Sequence, residues 1–206
     1  MRWFRQLPLA AVLALLASGS AAQVIEFESG GLKYLTQTRN GLTVMFAHLP
    51  TQVREYSIVQ VAVSNGSSQP WTLRPDDFSF RRPDGTLIQA VAARTVVSQL
   101  VERANRNDVI KLVATYELGL YGINRFQSTN GYEQRRLAAQ AEFGSLKIKA
   151  AAAASAIAFV ATKLNPGDST DGAVFYPTNY KPLGAGRLMV QAAGTVFEFD
   201  TDSAAP

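Results

Sequence analysis

The chain of 206 residues has no cysteine and a single histidine, His48. Without cysteine it has neither a disulfide framework nor a cysteine for a lipid anchor, and zinc sites built from cysteines or several histidines are excluded. A chain of this length can form its core by packing alone, because it buries about 70% of the surface that its unfolded form exposes. A cysteine-free exported protein fits a bacterial periplasmic or extracellular setting.

The sequence also lacks an apolar run of the roughly 20 residues that a membrane-spanning helix needs. The apolar run near the N-terminus, Leu7 to Ala17, follows Arg2 and Arg5 and leads into small residues that end in Ala-Ala. This order is typical of a secretory signal peptide with an A-x-A-like cleavage site. We therefore predict a signal peptide over residues 1–22, a mature N-terminus at Gln23, and a periplasmic or extracellular location.

A basic stripe is absent as well. The formal net charge is +4, and the two arginines of the signal account for 2 of it, which leaves +2 for the mature part. Lysine and arginine are dispersed, and only Arg81–Arg82 and Arg135–Arg136 are adjacent. Nucleic-acid-binding domains cluster these residues on one face, so we expect no nucleic-acid partner.

The first part of the mature chain has the alternation of β-strands. Asn40-Gly41 supplies the positive φ angles of a two-residue hairpin turn between predicted strands at 33–38 and 42–48. A valine-rich strand follows at 55–64, and shorter strands are predicted at 71–73, 78–80 and 87–88. Short strands with a turn about every 8 to 12 residues indicate a sandwich or barrel rather than a βαβ fold.

From about Thr95 the apolar period becomes helical. Val96, Leu100 and Ala104 share one stripe, and further helices are predicted from Asp108, over 132–143 and through the alanine-rich stretch 149–161. Strands return at 159–164, 173–176, 188–192 and 195–199. These late strands are too few to bury a face alone. The sequence therefore predicts a mainly β chain, with one antiparallel β-sandwich over 23–206 and a helical insertion at about 95–158.

Two stretches share a further pattern of strands and turns. Residues 59–86, VQVAVSNGSSQPWTLRPDDFSFRRPDGT, have a valine-rich strand that ends in asparagine, then an acidic residue with phenylalanine, then a DG turn. Residues 164–177, LNPGDSTDGAVFYP, have an L-x-P-G turn that leads to G-x-V-F. In these motifs the chain resembles the Ig-like domains of bacterial exported proteins of the DUF4352 type. The resemblance implies an extracytoplasmic Ig-like sandwich and no catalytic residue, and the block 95–158 departs from it.

We predict no catalytic, cofactor-binding or metal-binding residue. A Ser-His-Asp arrangement would have to use His48, at the end of a predicted strand, and no nucleophile-elbow motif is present. The acidic turns Asp76–Asp77 and Asp168 with Asp171 lack the spacing of a calcium loop, and such residues usually bond to their own backbone. The paired glycines near positions 30 and 120 do not open a helix after a strand, as a phosphate loop would.

Some side chains leave alternatives open. Glu117, Glu133 and Glu142 could supply the two carboxylates of a hydrolase, although exposed helix faces explain them as well. Asn65 begins an N-x-S sequon, which matters only where glycosylation occurs. Seven aromatic residues are expected in the core rather than on a sugar platform: Trp71, Phe78, Phe80, Phe175, Tyr176, Phe197 and Phe199.

The uncharged stretch 150–161, AAAAASAIAFVA, allows two interpretations. Its small side chains let helices pack closely, or the insertion forms a docking surface for an envelope protein, a second copy of the chain or lipid. We expect a non-catalytic binding or scaffolding protein of the bacterial cell envelope. The alternatives are a carboxylate-dependent hydrolase acting on envelope polymers and a carrier of a small apolar ligand.

Overall fold

The computed structural model describes residues 23–29, 31–112, 114 and 145–201. Within these ranges the strands and helices follow one another in this order: β1 Ile25–Ser29, β2 Leu32–Arg39, β3 Leu42–Val53, β4 Tyr56–Asn65, β5 Trp71–Leu73, β6 Phe78–Arg81, β7 Leu87–Gln89, α1 Ala93–Arg103, α2 Leu146–Ile157, β8 Thr162–Leu164, β9 Ser169–Pro177, β10 Arg187–Ala192 and β11 Thr195–Asp200. Residues 106–112 are also helical. The predicted signal peptide and the helix predicted at 132–143 lie outside the described residues.

The strands pair antiparallel into three sheets. The first has the order β1-β2-β3-β4-β9, the second the order β11-β10-β6-β7, and the third consists of β5 and β8. Each sheet joins strands from before and after the helices, through the pairs β4–β9, β6–β10 and β5–β8. The predicted fold class, a mainly β antiparallel sandwich with helices inserted between early and late strands, is confirmed.

The five-stranded sheet is covered on both faces, which gives the molecule three layers. Along β4, Val59, Val61 and Val63 enter the core shared with the four-stranded sheet, where Phe78, Phe80, Phe197 and Phe199 are also buried. Tyr56 and Ile58 of the same strand enter a second core beneath the helices. This explains the near-continuous run of apolar residues in β4, because successive side chains of a strand point to opposite faces.

The helical layer packs on the outer face of the five-stranded sheet. Ala150 and Ala154 of α2 are fully buried in the second core, together with Val96 and Leu100 of α1. The small side chains therefore serve the close packing that the sequence allows. None of the helices within the described ranges has the length and apolar character needed to cross a membrane.

Several predicted boundaries are wrong. β3 continues past Pro50 to Val53, because its pairing with β4 resumes after an irregularity between His48 and Gln52. A proline is tolerated at such a break in the ladder. β9 begins at Ser169 rather than at 173, α2 ends at Ile157, and β8 is limited to 162–164. The edge strand β1 was not predicted, since its few, largely exposed residues give only a weak pattern.

Candidate functional site

His48 lies half-buried near the end of the regular part of β3, where it pairs with Val59 of β4. Its Nε2 atom is buried and has no hydrogen-bond partner among the described residues. Burial lowers the pKa of the imidazole from its ordinary value of 6.5, because the charged form loses hydration. The single histidine therefore lies on a strand of the sandwich, and its burial favours the neutral form of the imidazole.

We expect this burial to make the folded state sensitive to acid. The unfolded chain takes up the His48 proton near pH 6.5, whereas the folded chain takes it up only at lower pH. Stability is therefore fully present above that value and is lost as the pH falls through the folded pKa. Urea denaturation between about pH 7.5 and about pH 5 should show the free energy of unfolding decreasing, with a smaller decrease in His48→Asn. Equal pH slopes in the two proteins would contradict this.

The acidic turns are structural. The Asp77 carboxylate accepts a hydrogen bond from the Arg74 backbone N–H at 2.7 Å, and the Asp168 carboxylate accepts one from the Asn165 N–H at 2.9 Å. The interpretation of these two as turn residues is confirmed. For Asp171 the interpretation is wrong, because this residue lies within β9 opposite Ala62 rather than in a turn. Within the described ranges no three histidine, cysteine, aspartate or glutamate side chains form a group that could hold a metal ion.

The sequon asparagine is fully buried and holds two parts of the chain together. The Asn65 side-chain amide donates to the Leu164 carbonyl at 3.0 Å and to the Gln69 carbonyl at 2.7 Å, and Asn65 Oδ1 accepts from Ser67. The Asn65 carbonyl accepts from the Gly167 N–H at 2.7 Å. With its side-chain amide used in this way, Asn65 is not an accessible glycosylation site in the folded protein.

The seven aromatic residues considered as a sugar platform belong to the interior. All except Trp71 are buried, and Trp71 packs on the sandwich core while its indole N–H donates to Ser67 Oγ at 2.9 Å. The expectation of core packing is confirmed for this set. The carboxylates considered for a hydrolase, Glu117, Glu133 and Glu142, lie outside the described residues.

A cleft of about 310 Å³ opens where three segments meet: the tip of the β3–β4 hairpin, the loop after β9 and the helical segment at 106–112. Gln52, Arg54 and Tyr180 line it from the strands and the loop. The helical side contributes four more residues: Asn105, Asn107, Asp108 and Lys111. We call this the polar cleft.

The helical wall of the polar cleft is fixed by a reciprocal cap. The Asp108 N–H donates to Asn105 Oδ1 at 3.1 Å, and the Asn105 N–H donates to Asp108 Oδ2 at 2.8 Å. Asn105 is therefore the capping residue of this helical segment, and Asp108, predicted to open it, lies in its first turn. The sequence analysis therefore places the start of this helical segment too late, at Asp108 instead of Asn105, because either asparagine or aspartate can cap a helix.

Arg54 joins this wall to the sandwich. Its Nη1 atom lies 3.2 Å from Asp108 Oδ2 and donates to the Arg103 carbonyl at 2.8 Å. Arg54 has φ 53°, a left-handed conformation that suits the tight turn between β3 and β4 but is uncommon for a residue other than glycine. The hairpin tip and the helices are thus held in one geometry by a partly buried ion pair.

The loop after β9 forms the other wall and carries two consecutive left-handed residues, Asn179 with φ 52° and Tyr180 with φ 63°. Hydrogen bonds on both sides maintain them. The Thr178 N–H donates to the Glu55 carbonyl at 2.7 Å, the Lys181 N–H donates to the Thr178 carbonyl at 3.1 Å, and Gln52 Nε2 donates to the Lys181 carbonyl. Tyr180 nevertheless remains 65% exposed. Strained backbone that its surroundings maintain is frequent at ligand sites.

These features define a three-layer β-sandwich protein with a preformed polar cleft. A comparison with models of protein families gives no match, and a comparison with curated proteins gives none either. Among solved structures the chain is similar to the YjhA protein of Bacillus subtilis, with 10% sequence identity and a TM-score of 0.32 over 81% of this chain and 76% of that chain.

Proposed function

We propose that the protein is a non-catalytic binding protein of the bacterial cell envelope that holds a saccharide in the polar cleft. The observation that carries the proposal is Tyr180, an exposed aromatic residue held in left-handed backbone on the wall of a polar cleft. The face of an aromatic ring carries negative partial charge. It therefore attracts the polarised C–H groups on the face of a sugar ring.

The loop geometry supports a binding role because it reduces the cost of ordering on association. Each left-handed residue other than glycine costs about 1–3 kcal/mol, and two of them stand in sequence here. The bonds from Thr178, Lys181 and Gln52 stabilise this conformation without a ligand. A ring that is already positioned loses little freedom when a ligand stacks on it, and this preorganisation raises affinity.

The lining suits a neutral ligand with many hydroxyl groups. Each hydroxyl both donates and accepts hydrogen bonds, and the side-chain amide of Asn107 can do the same. Gln52 Nε2 and Asn105 Oδ1 are engaged within the protein, which leaves Gln52 Oε1 to accept from a ligand and Asn105 Nδ2 to donate to one. Arg54 and Asp108 neutralise each other at 3.2 Å, so Lys111 supplies the remaining charge of the lining. A volume of about 310 Å³ lies at the small end of ligand pockets, which fits a short saccharide or one end of a longer chain.

The predicted signal peptide at 1–22 supports export to the periplasm or the exterior, where envelope polysaccharides are found. The motifs at 59–86 and 164–177 support assignment to Ig-like domains of the DUF4352 type.

Docking of an envelope protein or a second copy on the helical insertion stays a prediction, which draws on the exposed side chains of Val101, Ile110 and Leu146. The hydrolase and the apolar-ligand carrier also stay predictions.

Binding to saccharides tests the proposal. The purified protein should sediment with insoluble cell-wall peptidoglycan and should bind soluble N-acetylglucosamine oligosaccharides in calorimetry. We expect Tyr180→Ala to weaken the calorimetric affinity about tenfold or more, because stacking and apolar burial are lost. Tyr180→Phe keeps the ring and should retain the affinity to within a factor of about three.

Leu87→Ala is the matched control, since Leu87 is also exposed and lies on β7, outside the polar cleft. It should leave the affinity unchanged. Two results would overturn the proposal. One is the absence of binding to both the insoluble and the soluble saccharides, and the other is an equal loss of affinity in Tyr180→Ala and Leu87→Ala.

A further inference from the structure

A second cleft, of about 260 Å³, lies on the four-stranded sheet and is lined by Arg81, Arg82, Pro83, Gly186, Arg187 and Asp200. Phe80, Leu188 and Phe199 of this sheet are buried in the sandwich core. Since successive side chains of a strand point to opposite faces, their neighbours Arg81, Arg187 and Asp200 lie on the outer face. We call this the arginine cleft.

Two arginines of the arginine cleft stand directly opposite each other. Arg81 of β6 pairs in register with Arg187 of β10, which in turn pairs with Asp200 of β11. Like charges in directly opposed positions destabilise a sheet. Arg187 has an exposed ion pair with Glu198 at 3.0 Å, which stabilises little, and Arg81 has no ion pair with any described residue. A local cost of this kind is expected where a site serves binding rather than stability.

Gly186 forms the floor of the arginine cleft, at a position where no larger residue fits. A Cβ atom at this position would lie 2.5 Å from the Arg81 carbonyl oxygen and 2.6 Å from the Phe80 ring. The Gly186 carbonyl accepts hydrogen bonds from the N–H and the hydroxyl of Thr201, both at 2.8 Å. Close backbone packing therefore fixes the floor between Arg81 and Arg187.

The charge of the lining indicates the class of ligand. The lining has three guanidinium groups and one carboxylate, Asp200, which gives a formal charge of +2. Glu198, paired with Arg187, lowers the charge of the cleft and its surroundings to +1, so the excess charge stays positive. A phosphate monoester carries about −1.5 to −2 at neutral pH, whereas a carboxylate carries −1. The planar fork of a guanidinium donates two parallel hydrogen bonds to phosphate oxygens. We propose that the arginine cleft binds a doubly charged phosphate group, carried by a soluble phosphate or by a lipid headgroup.

This site is separate from the polar cleft, so the two proposals can fail independently. Calorimetry with inorganic phosphate, and flotation with phosphatidic acid vesicles against phosphatidylcholine vesicles, would test it. We expect binding of phosphate, of phosphatidic acid vesicles or of both, and no binding of phosphatidylcholine vesicles. Arg81→Ala combined with Arg187→Ala should weaken that binding more than about tenfold, because each charge-assisted contact is stronger than a neutral one.

Arg94→Ala is the control for loss of a positive charge outside the arginine cleft, because it removes one arginine from an exposed position on α1. It should leave phosphate binding unchanged at constant ionic strength. Urea denaturation of Arg81→Ala separates binding from folding, since removing one of two opposed charges should leave the protein as stable or slightly more stable.

Binding of inorganic phosphate would assign the site to a soluble phosphate, and binding of phosphatidic acid vesicles alone would assign it to a lipid headgroup. Both results would support the proposal. It would be overturned by the absence of binding to either probe, or by an equal loss of binding in Arg94→Ala and in the double variant.

Discussion

Replacement of Phe159 by alanine should lower the free energy of unfolding by about 3–5 kcal/mol, the range found for large aromatic residues in protein cores. Phe159 is buried in the sandwich core, where its ring meets Phe78 edge to face with centroids 5.1 Å apart. Its backbone N–H donates to the Ala173 carbonyl at 2.8 Å. The substitution would leave a cavity where the chain returns from the helices into the sandwich.

The same experiment tests whether residues 23–206 form one domain. Phe78 lies on β6, before the helices, whereas Phe159 lies after them, so loss of this contact should destabilise both groups of strands together. Urea denaturation followed by tryptophan fluorescence and by circular dichroism should give one coincident transition at a lower midpoint. Phe27→Ala is the control, because Phe27 is 37% exposed on the edge strand β1 and should cost much less. Two separated transitions would contradict a shared core.

The sandwich could be predicted because its signals are local. The alternation of Val59, Val61 and Val63 depends only on the two-residue period of a strand, and Asn40-Gly41 specifies its turn by backbone conformation. Both features act over a few residues and need no knowledge of the tertiary structure. The second core beneath the helices was harder to predict from the sequence. Tyr56 and Ile58 show that the other face of β4 is apolar as well, but they do not show what covers it.

Residues 59–86 and 164–177, the two stretches that resemble Ig-like domains, are joined in the structure by hydrogen bonds that their sequences alone do not show. The asparagine that ends the valine-rich strand, Asn65, is hydrogen-bonded to Leu164 and Gly167 of the L-x-P-G turn. The asparagine and the turn, about a hundred residues apart in the sequence, are therefore one hydrogen-bonded unit in the fold. A buried amide needs partners for both its donor and its acceptor.

The polar cleft could not be predicted from the sequence. Arg54 and Asp108 are far apart in the chain and meet only because the helical layer packs over the hairpin tip. Tyr180 lies in a loop whose composition indicates a turn, but tyrosine gives no signal for left-handed backbone. The one available hint was Asn179, since asparagine tolerates that conformation better than most residues. Long-range packing, rather than any local pattern, creates this site.

Gly172→Ala should be the most damaging substitution of a single small residue in β9, with an expected loss of about 3 kcal/mol of unfolding free energy. A Cβ atom at Gly172 would lie 2.7 Å from both the Cα and the N atom of Phe159. These are backbone atoms held by the bridge between Ala158 and Ala173, so no side chain can move to relieve the contact. The close approach of the two segments covers the edge of β9, which would otherwise be open to pairing with another chain.

Gly167→Ala separates this steric effect from the cost of backbone conformation. Gly167 has φ 85°, and a Cβ atom there would meet nothing within 4 Å. The strain of a non-glycine residue in that conformation should therefore be its main cost, about 1 kcal/mol. Urea denaturation of both variants measures the difference, and exposure of the β9 edge should also make Gly172→Ala aggregate at lower concentration. Equal stability losses in the two variants would show that Phe159 yields to the new methyl group, and that the docking of this segment on β9 is loose.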